Sequence, residues 1–299
     1  MLRKMDFDSP IIDTHVHFWD FDKFKYQWPT AEDKVLFRNF LPSDYADATK
    51  DVPAVKNGIF VQVHNGTVEE NDWVLKFAEK HKWIVGLVGW VDLKDPDVES
   101  VLKHYAQNDR FVGVRHITEL EPPDWLGREE IHKGLAIVEK LNLTFDLLLR
   151  PQLLDYALQL ADKFPNLTLI IDHLAKPKIK EKEIEEWKVK MSKVASYPNV
   201  YCKLSGMVTE ADWEKWKPSD LKPYVKHCVE SFGASRCMFG SDFPVFSFTT
   251  ATYKDVVYAL CECLKDCTTS QEREDIFCHN AARIYKIKAP LNNTNLKEF

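Results

Sequence analysis

The chain has 299 residues, 45% of them hydrophobic and 29% charged, with a formal net charge of -6. That size and balance suit a substantial core in one large α/β domain or two smaller ones. The acidic balance, with lysines offset by neighbouring Glu and Asp, argues against nucleic acid as a partner. No run of about eighteen apolar residues could span a bilayer, and MLRKMDFDSP lacks the apolar core of a secretory signal, so no membrane association and a cytoplasmic location are expected.

The first predicted strand is IIDTHVHF, Ile11 to Phe18. With a side-chain period of two, His15 and His17 project from one face. A surface pair after a loop is the plain alternative, but these histidines close a β-branched run that reads as buried. Residues 18–42 follow, rich in Trp19, Phe21, Phe24, Tyr26 and Trp28 and interrupted by Pro29 and Pro42. This segment reads as a loop over one end of the fold, able to act as a packing element and as a lid. A short helix is predicted over 43–50, with Ser43 as its N-cap.

A strand–helix rhythm then sets in. Strands are predicted over 58–64, 83–91, 111–116, 143–150, 167–174, 199–206 and 237–245. Helices are predicted over 71–81, 95–107, 129–141, from Pro151 onward, and over 180–195, 219–232, 252–265 and 270–287. No Gly/Ser linker or compositional shift divides the chain. Mostly continuous apolar strands are the pattern of a parallel sheet covered on both faces. Eight such units predict a single (β/α)8 TIM barrel over 1–299, with the aromatic loop over its C-terminal mouth. An open doubly wound sheet is the rival, but no Gly-rich fingerprint follows the first strand.

Seven cysteines, all in the last third, read as reduced structural thiols. The spacing of Cys261, Cys263 and Cys267 falls within a predicted helix and has no matching second ligand group.

A barrel gathers the C-terminal ends of its strands around one cavity. Those ends carry His15 and His17, Gln62 and His64, Trp90 and Asp92, Arg115 and His116, Asp146 and Arg150, Asp172 and His173, Lys203 and Ser205, and Ser241 and Asp242. Alternation keeps some of these outside. Asp242, opposite the histidine pair, can ligate a divalent ion or take a proton from water; an Asx-turn is its structural alternative. His173 is a further candidate, with helix capping or a buried hydrogen bond as the alternative. Of Arg115 and His116, one should face the lumen. Lys203 either reaches the cavity or snorkels, and Trp19, Trp28, Trp90 and Trp125 are candidate aromatic walls.

Together IDTHVHFW, GWVDL, GVRH, DHLAKP, YCKLSG and MFGSDFPV resemble the amidohydrolase superfamily, specifically its amidohydrolase-related (amidohydrolase 2) branch containing L-fucono-1,5-lactonase and L-rhamnono-γ-lactonase. The resemblance implies a distorted TIM barrel that opens a small sugar-acid lactone, an aldonolactone such as L-fucono-1,5-lactone. It implies one divalent metal, zinc, on His15, His17 and Asp242, although related lactonases also work without metal, and no organic cofactor. Strand five offers Asp146 but no carboxylated lysine or histidine, which argues against two bridged ions. Asp242, His173, His116 and Arg115 are the expected catalytic groups, and Gln62, Trp90, Arg115, Trp28 and Lys203 the expected substrate contacts. A sugar lactone is the expected partner, with a homodimer left open. A decarboxylase of unsaturated acids, an amide hydrolase and a non-enzymatic binding protein are the alternative functions.

Overall fold

Eight strands follow one another around the fold: β1 (Ile11–Val16), β2 (Val55–Val61), β3 (Ile84–Gly89), β4 (Phe111–Ile117), β5 (Thr144–Leu148), β6 (Thr168–Ile171), β7 (Val200–Leu204) and β8 (Cys237–Phe239). Each pairs in parallel with the next in sequence, making a (β/α)8 barrel. The computed structural model describes residues 9–63, 65–292 and 296. His64, the first eight residues and most of the polar tail lie outside them.

The connecting helices are α1 (Pro42–Ala48), α2 (Glu69–Lys80), α3 (Val98–Tyr105), α4 (Glu129–Lys140), α5 (Leu154–Lys163), α6 (Glu185–Ala195), α7 (Pro218–Phe232) and α8 (Tyr253–Leu264). After them come α9 (Ser270–Glu274), a π turn (Asp275–His279) and α10 (Asn280–Ile284), where one continuous helix was predicted. Helix α1 begins one residue before its predicted cap. Pro42 fills its first turn, where a missing N–H costs nothing, and the Asp44 carboxylate accepts from the Leu41 N–H at 2.9 Å. Ser43 therefore sits inside the helix. Helix α6 starts at Glu185 rather than Lys180, because Lys182 has φ 59°, which a right-handed helix cannot contain.

Two apolar layers hold the barrel. Ile12, Ile59, Val85, Val112, Ile170 and Met238, one from each of six strands, cluster with Ala281 and Tyr285 of the C-terminal segment. The larger layer packs the opposite strand faces against the helices. Strict alternation cannot send both Ile12 and His15 inward, since they are three residues apart. A bulge resolves this: Asp13 and Val16 of β1 face Gly58 and Phe60 of β2, three steps against two. A similar step in β4, where Phe111 and Gly113 oppose Leu87 and Val88, lets Val112 and Arg115 share the interior.

Strand β8 is only three residues long, and the barrel closes on β1 irregularly. The Asp242 N–H donates to the His15 carbonyl at 3.0 Å, the His17 N–H to Phe243 at 2.8 Å, and Thr14 Oγ1 to the Phe239 carbonyl at 2.6 Å. Beside this seam the buried Asp13 carboxylate accepts from the Ser241 and His15 N–H groups and from the hydroxyls of Tyr45 and Tyr253. Burial pushes the Asp13 carboxyl up, against those hydrogen bonds. The seven cysteines are free thiols. Among the described residues no helix is long and apolar enough to cross a membrane.

Removing one donor from a buried carboxylate costs about 1–3 kcal/mol. Tyr253→Phe should therefore lower the unfolding free energy by about 2 kcal/mol, and Asp13→Ala, which strands four donors, by more. Equilibrium denaturation of the two variants checks both the direction and the order.

Candidate active site

The bulge in β1 and the closing seam bring distant chain segments to one point. Asp242 Oδ1 lies 3.8 Å from His15 Nε2, 3.5 Å from His17 Nε2 and 3.8 Å from His173 Nε2. Both groups that close the circle have left-handed backbone, His173 at φ 54° and Asp242 at φ 62°. His173 opens a run of four such residues that continues through Leu174, Ala175 and Lys176. Gly206 makes room for this turn, since a Cβ there would lie 2.6 Å from the His173 ring.

Hydrogen bonding assigns the protons. His17 Nδ1 donates to the Val61 carbonyl at 2.7 Å, so its Nε2 carries a lone pair toward Asp242. Arg115 Nη1 lies 3.2 Å from His15 Nε2, while His15 Nδ1 faces Lys203 Nζ at 3.3 Å and Asp172 Oδ1 at 3.5 Å. His173 Nδ1 and Ser205 Oγ are 2.9 Å apart. Burial pushes all three imidazoles below their usual range, His173 down to about 4. Burial would raise the Asp242 carboxyl, but its neighbours, His173 foremost, outweigh it and hold it below the usual range. At neutral pH the centre is one carboxylate among three neutral imidazoles.

His17 Nε2 and Asp242 Oδ1 both present lone pairs across 3.5 Å, an arrangement that calls for a shared proton or cation. Ligand atoms on one tetrahedral zinc stand about 3.3–3.5 Å apart, close to the spacings around Asp242 Oδ1. His15, His173 and Asp242 have ligand atoms within 4.8 Å of one another, so the donor set fits a divalent metal. The expected set of His15, His17 and Asp242 shares two of these groups, and His17 Nε2 stands 3.5 Å from Asp242 Oδ1. An ion on His15 would take over the lone pair that Arg115 engages.

Beneath the centre lies a layer of buried charge. Lys203 Nζ donates to Asp146 at 2.6 Å, forms an ion pair with Asp172 at 3.0 Å and sits 3.3 Å from His15 Nδ1. Tyr285 adds its hydroxyl to Asp146 at 2.6 Å, and Arg115 pairs with Asp172 at 3.2 Å while donating to the Gln62 carbonyl at 2.6 Å. Burial would raise Asp172, but Lys203, with His15 and Arg115, holds it well below the usual range.

Above the centre opens a cavity of about 510 Å³. His17, Arg115, His173 and Asp242 form its floor; Trp28, Ile117, Leu148, Trp213 and Phe248 give apolar wall; Glu119, Arg150, Lys176 and Glu210 add charge. Arg115 and Trp28, both expected as substrate contacts, line this cavity.

Four other expected residues sit elsewhere. Lys203 is wholly buried under His15, held down by two carboxylates, and cannot reach a ligand. Gln62 offers its main-chain carbonyl to Arg115 rather than its amide to the cavity. His116 alternates outward from Arg115: it accepts from Trp90 Nε1 at 3.2 Å, donates to Glu121 at 2.8 Å and stacks on Trp125 at 4.1 Å. That bond also occupies the indole N–H of Trp90. Glu119, Lys176, Glu210, Trp213 and Phe248 were missed, because they lie in turns past the strand ends where periodicity gives no direction.

Comparison with known proteins places this geometry in context. The amidohydrolase family model matches residues 12–287. The chain is 33% identical to an L-fucono-1,5-lactonase of Burkholderia ambifaria over 93% of this chain and 96% of that one. It is 29% identical to an L-fucono-1,5-lactonase of Burkholderia multivorans over 93% and 97%. The crystal structure of a Burkholderia multivorans amidohydrolase with bound zinc superposes with a TM-score of 0.86 at 26% identity, covering 93% of this chain and all of that one.

A buried histidine that stays neutral binds its proton less readily than in the unfolded chain. Stability therefore falls as pH drops below the unfolded value of about 6.5 and levels off once pH passes the folded value. For metal-stripped protein, lowering pH from 7 to 5 should cost about 1–3 kcal/mol. His173→Gln should flatten that slope, as read by urea midpoints at each pH.

Proposed function

The chain belongs to the amidohydrolase family, and from that premise we propose that it opens a small sugar-acid lactone, an aldonolactone such as L-fucono-1,5-lactone, by water attack on the ester carbonyl. The observation that carries this reading is the ionised Asp242 carboxylate on the floor of an open cavity, ringed at 3.5–3.8 Å by neutral imidazoles. The two relatives named L-fucono-1,5-lactonase support the sugar class.

Lactone hydrolysis needs an activated water, a partner for the developing oxyanion and a proton for the departing ring oxygen. Asp242 takes the water proton as the new C–O bond forms, and returns it to the ring alkoxide as the acyl C–O bond breaks, leaving the open hydroxy acid. His17, whose own proton is committed to Val61, can only accept at Nε2, and so orients the water toward the carbonyl. Arg115 lines the cavity and carries a buried Nε with no hydrogen-bond partner among the described residues. Its fixed cation, braced by Asp172 and the Gln62 carbonyl, stabilises the oxyanion without reorganising. His173, anchored through Ser205, holds Asp242 ionised and borders the reacting carbonyl. A divalent ion, zinc being the first candidate, would be held by His15, His173 and Asp242 with His17 in reach, and would supply Lewis-acid polarisation or a more acidic water.

Asp242→Asn should lower kcat/KM on the best aldonolactone by about 10²–10⁴-fold with the denaturation midpoint retained; near-native turnover would remove Asp242 as the base. Proton release across five- and six-membered aldonolactones tests the substrate class, and no hydrolysis of any would overturn it. Elemental analysis should find a divalent metal that His173→Ala loses.

A further inference from the structure

The four charged groups at the cavity mouth belong to four different strand–helix connections. Glu119 lies in the turn after β4, Arg150 just after β5, Lys176 at the end of the left-handed run after β6, and Glu210 in the turn after β7. Glu119 bridges both cations, with Oε1 2.7 Å from Arg150 Nε and Oε2 2.7 Å from Lys176 Nζ; Arg150 Nη1 reaches Glu210 at 3.6 Å. Burial would raise the Glu119 carboxyl, but Lys176 and Arg150 outweigh it. The rim sets two carboxyl groups against two cations, with burial pushing the Glu210 carboxyl up against Lys176 and Arg150, and both cations are already paired.

The opposite wall is aromatic. Trp213 stacks on Phe248 with ring centroids 5.4 Å apart and planes 12° apart, and Trp28 closes on Phe248 from the first loop at 6.4 Å. Trp213 is 48% exposed, unusual for so large an apolar ring.

We propose that this rim is a recognition site for the hydroxyl edge of an uncharged sugar ring, and that Glu119 is the residue that makes it discriminate against rings bearing a carboxylate. The proposal rests on the lactonase reading only for the identity of the ring that is opened. An ammonium, a guanidinium and two carboxylates locked together keep spare N–H donors and spare lone pairs. They can answer a polyol, which presents both O–H donors and oxygen acceptors. An anionic ring meets no net positive charge and stands beside two fixed carboxylates. The aromatic wall suits the C–H face of the same ring.

The test is calorimetric titration of the whole protein with methyl pyranosides of the gluco, galacto and manno series and with their uronate counterparts, which differ only in carrying a carboxylate. The wild-type chain should bind the best neutral glycoside at least about tenfold more tightly than its uronate. Glu119→Gln, which leaves the rim at +1, should shift that ratio about tenfold toward the uronate, and Lys176→Met should shift it the other way. Equal binding of the two ligand classes, no binding of any, or a ratio that ignores both variants would overturn the assignment. Selective binding without lactone hydrolysis would remove the hydrolytic reading and leave the rim standing. Hydrolysis with a ratio indifferent to both variants would remove the rim alone.

Discussion

The hydrogen bond from the Asp242 N–H to the His15 carbonyl is both the last stitch of the barrel and the first of the site. Strand β8 is too short to pair with β1 through a regular ladder, so closure is left to a few main-chain bonds and to Asp13, which gathers four donors beside the seam. Because the seam carries His15 and His17 on one side and Asp242 on the other, the spacing between the carboxylate and these two imidazoles is set where the barrel closes. Few arrangements position a carboxylate more rigidly, and rigid placement is what electrostatic catalysis requires.

The layer under the site follows from that placement. Burying Arg115 and Lys203 together with Asp146 and Asp172 does not by itself argue for stability, since such groups lose about as much hydration as they regain in attraction. Its effect is directional. Asp172 pairs with both cations and faces His15 Nδ1, so the charge around the His15 ring is set from below. Tyr285 reaches into the same layer from the C-terminal segment, which ties the end of the chain to the floor of the site.

The architecture could be read from the chain because eight apolar runs recur with helices between them, and parallel strands buried on both faces leave that mark. His15 and His17 could be placed together because their spacing of two survives any register, and Asp242 because it ends an apolar strand at Gly240. What alternation alone could not deliver was direction. The bulges in β1 and β4 decide which side chains face inward, and a bulge leaves no trace in hydrophobic period. Lys203 read as a strand-end cation and proved to be a foundation, because Asp146 of β5 and Asp172 just past β6 hold its ammonium. Glu119, Lys176 and Glu210 lie one or more residues past the strands, where only the turn geometry says where a side chain goes.

The left-handed run from His173 to Lys176 has a consequence of its own. Each such residue sits about 1–2 kcal/mol above its relaxed conformation, and the run is clasped by the Trp187 indole on the Leu174 carbonyl and by its own Lys176-to-His173 hydrogen bond. One imidazole and one rim ammonium thus hang from a single wound segment, independent of the strand register that fixes the rest. A small change in how tightly that segment is wound would move both together, reshaping the cavity they line while the barrel stays shut. Descent with new substrate preferences has there a hinge it can turn without rebuilding the scaffold.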